Sequence, residues 1–414
     1  MSPFELVAAL MTVVALAGWL NARTLHLPHG VAMLLAGIAA AAILYAAQLL
    51  FPDFEGLGEI AAYINRIDFT STVTGHMLAF LLFAGAIQVD LSEMRRRWFS
   101  IAALATFGVL ASIAIVGFGL WAVAQALGLA LPLAWALAFG ALISPTDPVA
   151  VLAAIRHVKL SKTLTVVLQG EALFNDGVGI VAFTALVALA AGGARLSPVS
   201  VVVDIVVQAA GGLLFGLALG SMVIFLMGLL DDFAVEVSLT IALAMVSYAG
   251  AQALHLSGAI AVVGAGMLFG GARAKKAMDG VTERYLTGFW TLVDEILNAL
   301  LFLLLGVEMI VVPFARHEAG LLAAAIPIVL LARFAVVLPW GQWFRLRESE
   351  RGPTLILGWG GLHGALSLAL ALSLPAGPER ALLLSVTYAV VAFSIMVQGL
   401  TFTPLVKWIA RRAP

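Results

Sequence analysis

Ser144-Pro145-Thr146-Asp147-Pro148 interrupts an apolar run that extends over about residues 134–155. Each proline lacks an N–H and clashes with the carbonyl four residues earlier, so a helix through this run must open and release the carbonyls of Ala141 and Ser144. Downstream, Gly358-Trp359-Gly360-Gly361-Leu362-His363-Gly364 places four glycines in seven residues inside a second apolar run, 353–374. Taken singly, a Pro kink or a Gly packing contact accounts for either segment. Taken together, they are two places where a membrane helix can be interrupted, seven spans apart.

Those runs recur along all 414 residues, 63% of them hydrophobic and only 11% charged. Such a composition excludes a water-soluble globule. Thirteen runs approach the roughly 20 residues that cross a bilayer. They cover about 4–20, 30–50, 70–87, 99–126, 134–155, 164–190, 199–230, 234–251, 256–271, 285–311, 320–343, 353–374 and 381–410. Backbone groups in lipid must be satisfied internally, and no alternating strand pattern is present, so the fold class is all-α and polytopic. The first run lacks a basic leader region and is read as a retained span.

Basic residues orient the spans. With the N-terminus outside, seventeen Lys and Arg fall in cytoplasmic segments: Arg23, Arg95 to Arg97, Arg156 to Lys162, Arg273 to Arg284, Arg345 to Arg351 and Lys407 to Arg412. Arg66, Arg195, Arg316 and Arg380 face the other side, and Arg333 lies inside a span. The expectation is N-out, C-in.

The breaks lie in spans five and twelve. With repeats at 1–198 and 233–414 and a linking helix at 199–232, both breaks are fifth in their repeat, and the odd offset of seven inverts the halves. Interrupted helices at matching positions of inverted halves point to the binding site of a secondary transporter.

Intramembrane charge is costly and usually functional. Asp147 lies between the prolines, where capping the second half-helix is its competing role. Glu171 and Asp176 lie in Gly170-Glu171-Ala172-Leu173-Phe174-Asn175-Asp176-Gly177. Their five-residue step separates them by about 140° on a helix, so they need different partners. One of the three carboxylates should neutralise Arg333, leaving two to face each other with a cation between them. Asp294, Glu295 and Asn298 form a deeper polar stripe, with packing, cavity lining and ion contact all open. Asp204, Asp231, Asp232, Glu236 and Glu308 lie near span ends, where solvation is the default. His363 either bonds within the core or titrates near neutral pH.

Ser144 to Val151 (SPTDPVAV), Gly170 to Gly177 (GEALFNDG), Ala332-Arg333 and Gly360 to Pro375 (GGLHGALSLALALSLP) resemble, in order and spacing, the bacterial and archaeal NhaP-type sodium/proton antiporters. More distantly they resemble the animal sodium/proton exchangers of the same cation/proton antiporter family. The resemblance implies thirteen helices and a homodimer. It also implies a core ion-transport domain (about 99–190 plus 318–410) that moves against a dimerisation domain (about 4–89 plus 199–311). Position by position, it implies that Asp176 alternately binds cation and proton, and that Asn175 ties the crossing helices together. Thr146, through its backbone carbonyl, and Asp147 help to hold Na⁺. Glu171 and Arg333 form a buried ion pair. Two departures stand out: Ala172 replaces a serine common in relatives, and His363 replaces an arginine, which makes it a candidate for pH tuning.

The expected activity is therefore exchange of Na⁺ or Li⁺ for H⁺ by alternating access, electroneutral and one for one. Hard oxygen ligands suit such ions, and a single aspartate would make cation and proton compete. K⁺/H⁺ exchange on the same scaffold is the alternative. A cation channel is less favoured because no repeated filter segment appears. No enzyme is expected, since the chain shows no nucleophile motif and no zinc-spaced His pair. With no cysteine there is no disulfide or thiolate. The net charge of −1 offers nothing to nucleic acid. No cofactor is expected. The partners are membrane lipid, monovalent cations, protons and a second copy of the chain, in a bacterial inner membrane.

Overall fold

The computed structural model describes residues 3–50, 77–147, 160–192, 198–308, 316–348, 350 and 352–411, and among them helices are the only regular elements. The helices are α1 (Pro3–Leu20), α2 (His29–Leu50), α3 (Leu78–Ile87), α4 (Leu91–Ala126), α5 (Leu133–Ile143), α6 (Lys162–Ala190) and α7 (Pro198–Met227). There follow α8 (Phe233–Ala253), α9 (Gly258–Met267), α10 (Gly280–Glu308), α11 (Ala319–Glu348), α12a (Pro353–Trp359), α12b (Ala365–Leu372) and α13 (Pro378–Arg411). Among the described residues, each of the thirteen apolar runs thus contains a helix, or for the twelfth two half-helices. Residues 70–76 and 148–155 of the third and fifth runs lie outside the described residues, as do Arg66, Arg156, Lys159 and Arg195.

Helix starts follow capping chemistry. The carboxylate of Asp90 accepts from the N–H groups of Ser92 (2.9 Å) and Glu93 (3.3 Å). Asp232 does the same for Ala234 and Val235, while Ser161 and Ser257 cap α6 and α9. The Asp90 cap explains why α4 starts at Leu91, eight residues before its apolar run. Residues 91–98 form a polar extension in which Glu93 pairs with Arg96 (3.3 Å) and Arg97 (3.5 Å) one turn on.

The outer surface is apolar: Ile43, Phe225 and Leu331 are exposed, whereas Thr240, Ser385 and Thr387 are buried. That distribution suits lipid rather than water as the surrounding solvent. At the ends of α1 and α11, Trp19 and Trp343 lie under the guanidinium groups of Arg23 and Arg347, at 5.7 and 5.2 Å from the ring centroids. Such pairs are interfacial anchors.

Lipid offers no hydrophobic drive between helices, so close backbone approach matters. Gly212, Gly216 and Gly220 recur every fourth residue along α7 and meet Ser257, Ala261 and Ala265 of α9. A Cβ on Gly212 would lie 2.5 Å from the Ser257 carbonyl, and one on Gly216 would overlap that of Ala261. α2 and α10 approach in the same way, a Cβ on Gly37 falling 3.0 Å from Gly306 Cα.

Candidate functional site

The helix breaks meet. α5 ends at Ile143, Ser144 keeps helical angles as its C-cap, and Pro145 to Asp147 have no regular structure. α12a stops at Trp359, and 360–364 are unwound before α12b starts. The two irregular segments bond through their backbones, Asp147 N–H donating to the Leu362 carbonyl (2.7 Å). Buried His363 adds a second tie, since its Nδ1 lies 3.2 Å from the Pro145 carbonyl; a carbonyl only accepts, so Nδ1 carries the proton in this bond. The N–H of His363 donates to Ser394 Oγ on α13 (2.8 Å). These bonds satisfy part of the irregular backbone within the protein, as its depth requires.

Glycines permit the approach. A Cβ on Gly364 would lie 2.7 Å from Asp147 Oδ2, and one on Gly179 of α6 would lie 2.7 Å from Pro145 Cγ. Asn175 of α6 donates from Nδ2 to Thr146 Oγ1 (2.8 Å), tying α6 to the first break.

One turn of α6 separates two chemistries. Glu171 is buried and forms a two-pronged ion pair with Arg333 of α11, in which Nη2 to Oε2 is 2.9 Å and Nη1 meets Oε1. Arg333 also donates from Nε (3.1 Å) and Nη2 (3.0 Å) to the Leu357 carbonyl in the last turn of α12a. The guanidinium therefore joins α6, α11 and α12a. Asp176 points elsewhere, as the 140° step requires. It lines a cavity of about 90 Å³ together with Asp147, Thr146, Ala172, Gly364 and Ser367. That volume equals about three waters at liquid density, room for a cation with part of its hydration shell. The opposite wall comes from Leu78 to Gly85 of α3 and from Asp294, Asn298, Leu301 and Phe302 of α10.

The described lining contains three carboxylates and no Lys or Arg, so its field favours cations. Asn298 Nδ2 holds Asp294, donating to its Oδ1 and its main-chain oxygen at 2.9 Å each. The structure thus brings Asp176, Asp147 and Thr146 together, with Asn175 behind them. It sets Glu171 and Arg333 one turn away and uses His363 as a bridge between the breaks. Of the end-of-span carboxylates, Asp232 is a cap. Ser367 escapes sequence reasoning altogether. The available signal was a hydroxyl in the first turn after a helix break, where its usual acceptor is displaced.

Two helix breaks meeting at a carboxylate-lined cavity, with continuous helices around them, define a secondary transporter. A family model described as "Sodium/hydrogen exchanger, transmembrane" matches residues 10–408, and the chain belongs to that family of multi-pass membrane proteins. It is 39% identical to the Na⁺/H⁺ antiporter NhaP of Pseudomonas aeruginosa over 99% of this chain and 98% of that one. Identity to the Na⁺/H⁺ antiporter NhaH of Halobacillus aidingensis is 35%, covering 97% and 96%. The solved structure of the sodium proton antiporter MjNhaP1 from Methanocaldococcus jannaschii shares the fold, with a TM-score of 0.73 at 18% identity and 99% coverage of both chains.

Proposed function

We propose that this protein exchanges Na⁺ or Li⁺ for H⁺ by alternating access, one for one, at Asp176. The observation that carries this is the joint placement of Asp176 and Asp147 in one cation-sized cavity where the two breaks meet. Family membership and the named activities of the bacterial relatives support it.

Coupling follows from the cost of uncompensated charge. A bare Asp176 carboxylate is costly to carry between hydrated openings through a low-dielectric interior. A proton or a Na⁺ removes that cost, so the loaded states cross and the empty one does not. Because both bind the same oxygen atoms, they compete, and one leaves on each side in exchange for the other. Asp147 and the Thr146 carbonyl contribute further hard oxygens, Asn175 holds the break in position, and Glu171 with Arg333 keeps α6, α11 and α12a moving as one body. His363 contributes by fastening the breaks to each other.

The cavity wall is divided in a way that suits this motion. Asp147, Asp176 and Ser367 belong to the proposed core domain (99–190 plus 318–410), whereas the α3 and α10 residues belong to the proposed dimerisation domain (4–89 plus 199–311). Sliding one against the other would re-expose the aspartates. The homodimer, the N-out and C-in orientation and a bacterial inner membrane belong to the same proposal. The Trp–Arg anchors at the C-terminal ends of α1 and α11, both odd-numbered spans, support that orientation.

The test is proton flux in proteoliposomes while Na⁺, Li⁺ and K⁺ are varied in turn. Na⁺- or Li⁺-driven flux is expected. Flux driven by K⁺ alone would replace the cation in this proposal, and cation movement uncoupled from protons would replace the mechanism.

A further inference from the structure

Ser367 is in the first turn of α12b, only 1% of it is exposed, and its Oγ has no hydrogen-bond partner among the described residues. Leaving a buried hydroxyl unpartnered costs about 1–3 kcal/mol. Hydroxyls in helices usually avoid that cost by donating to the carbonyl four residues back. Ser144 does so to Gly140 (2.7 Å) and Thr387 to Leu383 (2.6 Å). For Ser367 the corresponding carbonyl belongs to His363, in the unwound segment, and no such bond forms. The residue instead lines the cavity that holds Asp147, Thr146 and Asp176. On the α6 side of that cavity Ala172 presents a methyl group, which offers no ligand.

We propose that Ser367 Oγ is a ligand for the transported cation, supplying from α12b the neutral oxygen that position 172 lacks. This rests on the reading of Asp176 as the exchange residue and adds a specific ligand to it. A hydroxyl oxygen suits a small hard cation such as Na⁺ or Li⁺. It adds coordination without charge, so the one-for-one stoichiometry is unaffected. It also makes cation binding depend on both breaks at once, since Asp147 comes from one and Ser367 from the other.

Ser367→Ala in proteoliposomes should raise the apparent KM for Na⁺ about five- to tenfold, the factor that one polar contact contributes, with the maximal rate nearly kept. The ratio of Li⁺ to Na⁺ affinities should shift as well, which a packing defect would not cause. In detergent, Ser367→Ala should melt at or above the wild-type temperature without Na⁺ yet gain less from added NaCl. Ser367→Thr, which keeps the hydroxyl, should retain Na⁺ affinity. Ala172→Ser placed in the Ser367→Ala background should recover it by returning an oxygen across the cavity. Unchanged Na⁺ affinity and unchanged stabilisation by NaCl in Ser367→Ala would overturn the proposal, as would equal losses in Ser367→Thr. The melting measurement needs no turnover, so it judges Ser367 even if the wild-type protein fails to exchange Na⁺ for H⁺, a result that would count against the proposed function.

Discussion

At the scale of single residues, the two aspartates differ in what they lose on amidation. Asp176→Asn keeps the shape of the side chain but can neither release a proton nor offset a cation. It should abolish Na⁺-driven proton flux while leaving a folded protein, as judged by gel filtration and melting. Substantial residual flux would remove Asp176 from the centre of the mechanism. Asp147→Asn leaves an exchangeable carboxylate in place, so the loss should appear in affinity. An apparent KM for Na⁺ raised about tenfold or more is expected, because a unit charge about 4 Å away is worth several kcal/mol at intermediate dielectric. An unchanged KM would leave Asp147 without a ligand role. These charges were legible in the sequence because intramembrane carboxylates are rare and helix periodicity alone separates Glu171 from Asp176. Ser367 was not legible, since one serine among many reveals nothing until the carbonyl it would bond has moved away. The second wall, Asp294 with Asn298, showed only as a polar stripe whose direction needed the packing of α10 on α3.

At the scale of elements, the breaks were readable from proline and glycine, but the contact between them was not. The bond from Asp147 N–H to the Leu362 carbonyl joins residues 215 positions apart, and no local pattern encodes it. Two predictions belong here. In the first, Glu171 and Arg333 hold three helices together through one buried pair. Removing either partner strands a charge, at a cost of about 3–5 kcal/mol in soluble precedents. The double variant Glu171→Gln with Arg333→Gln should lose less stability than the two single losses added, read as melting temperature in detergent. Additive losses would mean the pair is energetically inert. In the second, Gly216→Val should separate α7 from α9, because its side chain would enter the Ala261 backbone. Overpacking of this kind costs about 1–3 kcal/mol, so a lower melting temperature is expected. Its Na⁺ affinity should stay near wild type, since neither helix lines the aspartate cavity.

At the scale of the whole molecule, the question is whether turnover moves charge, and it is decided by counting the groups that exchange protons. Asn175 adjoins Asp176 and donates to Thr146, and an amide does not titrate in the working range. Within that immediate pair only Asp176 can exchange a proton for a cation. Glu171 is held by Arg333 on another face, and Asp294, on the opposite wall, belongs to the domain that stays still in the proposed motion. With Asp147 ionised throughout, the moving domain carries the same charge whether it holds Na⁺ or H⁺. A cycle that moved one net charge would gain or lose about 2.3 kcal/mol per 100 mV, a bias of nearly fiftyfold in the equilibrium. A one-for-one cycle has no such term. The Na⁺ concentration ratio across the membrane that just halts proton flux in proteoliposomes should therefore equal the proton ratio in the same direction and stay fixed when valinomycin and K⁺ impose a potential. A halting point that moves with the potential would require a second proton carrier on the moving domain. Asp147 would then be the first residue to replace, because it shares the cavity and moves with Asp176, and His363 the second, because it touches the same break.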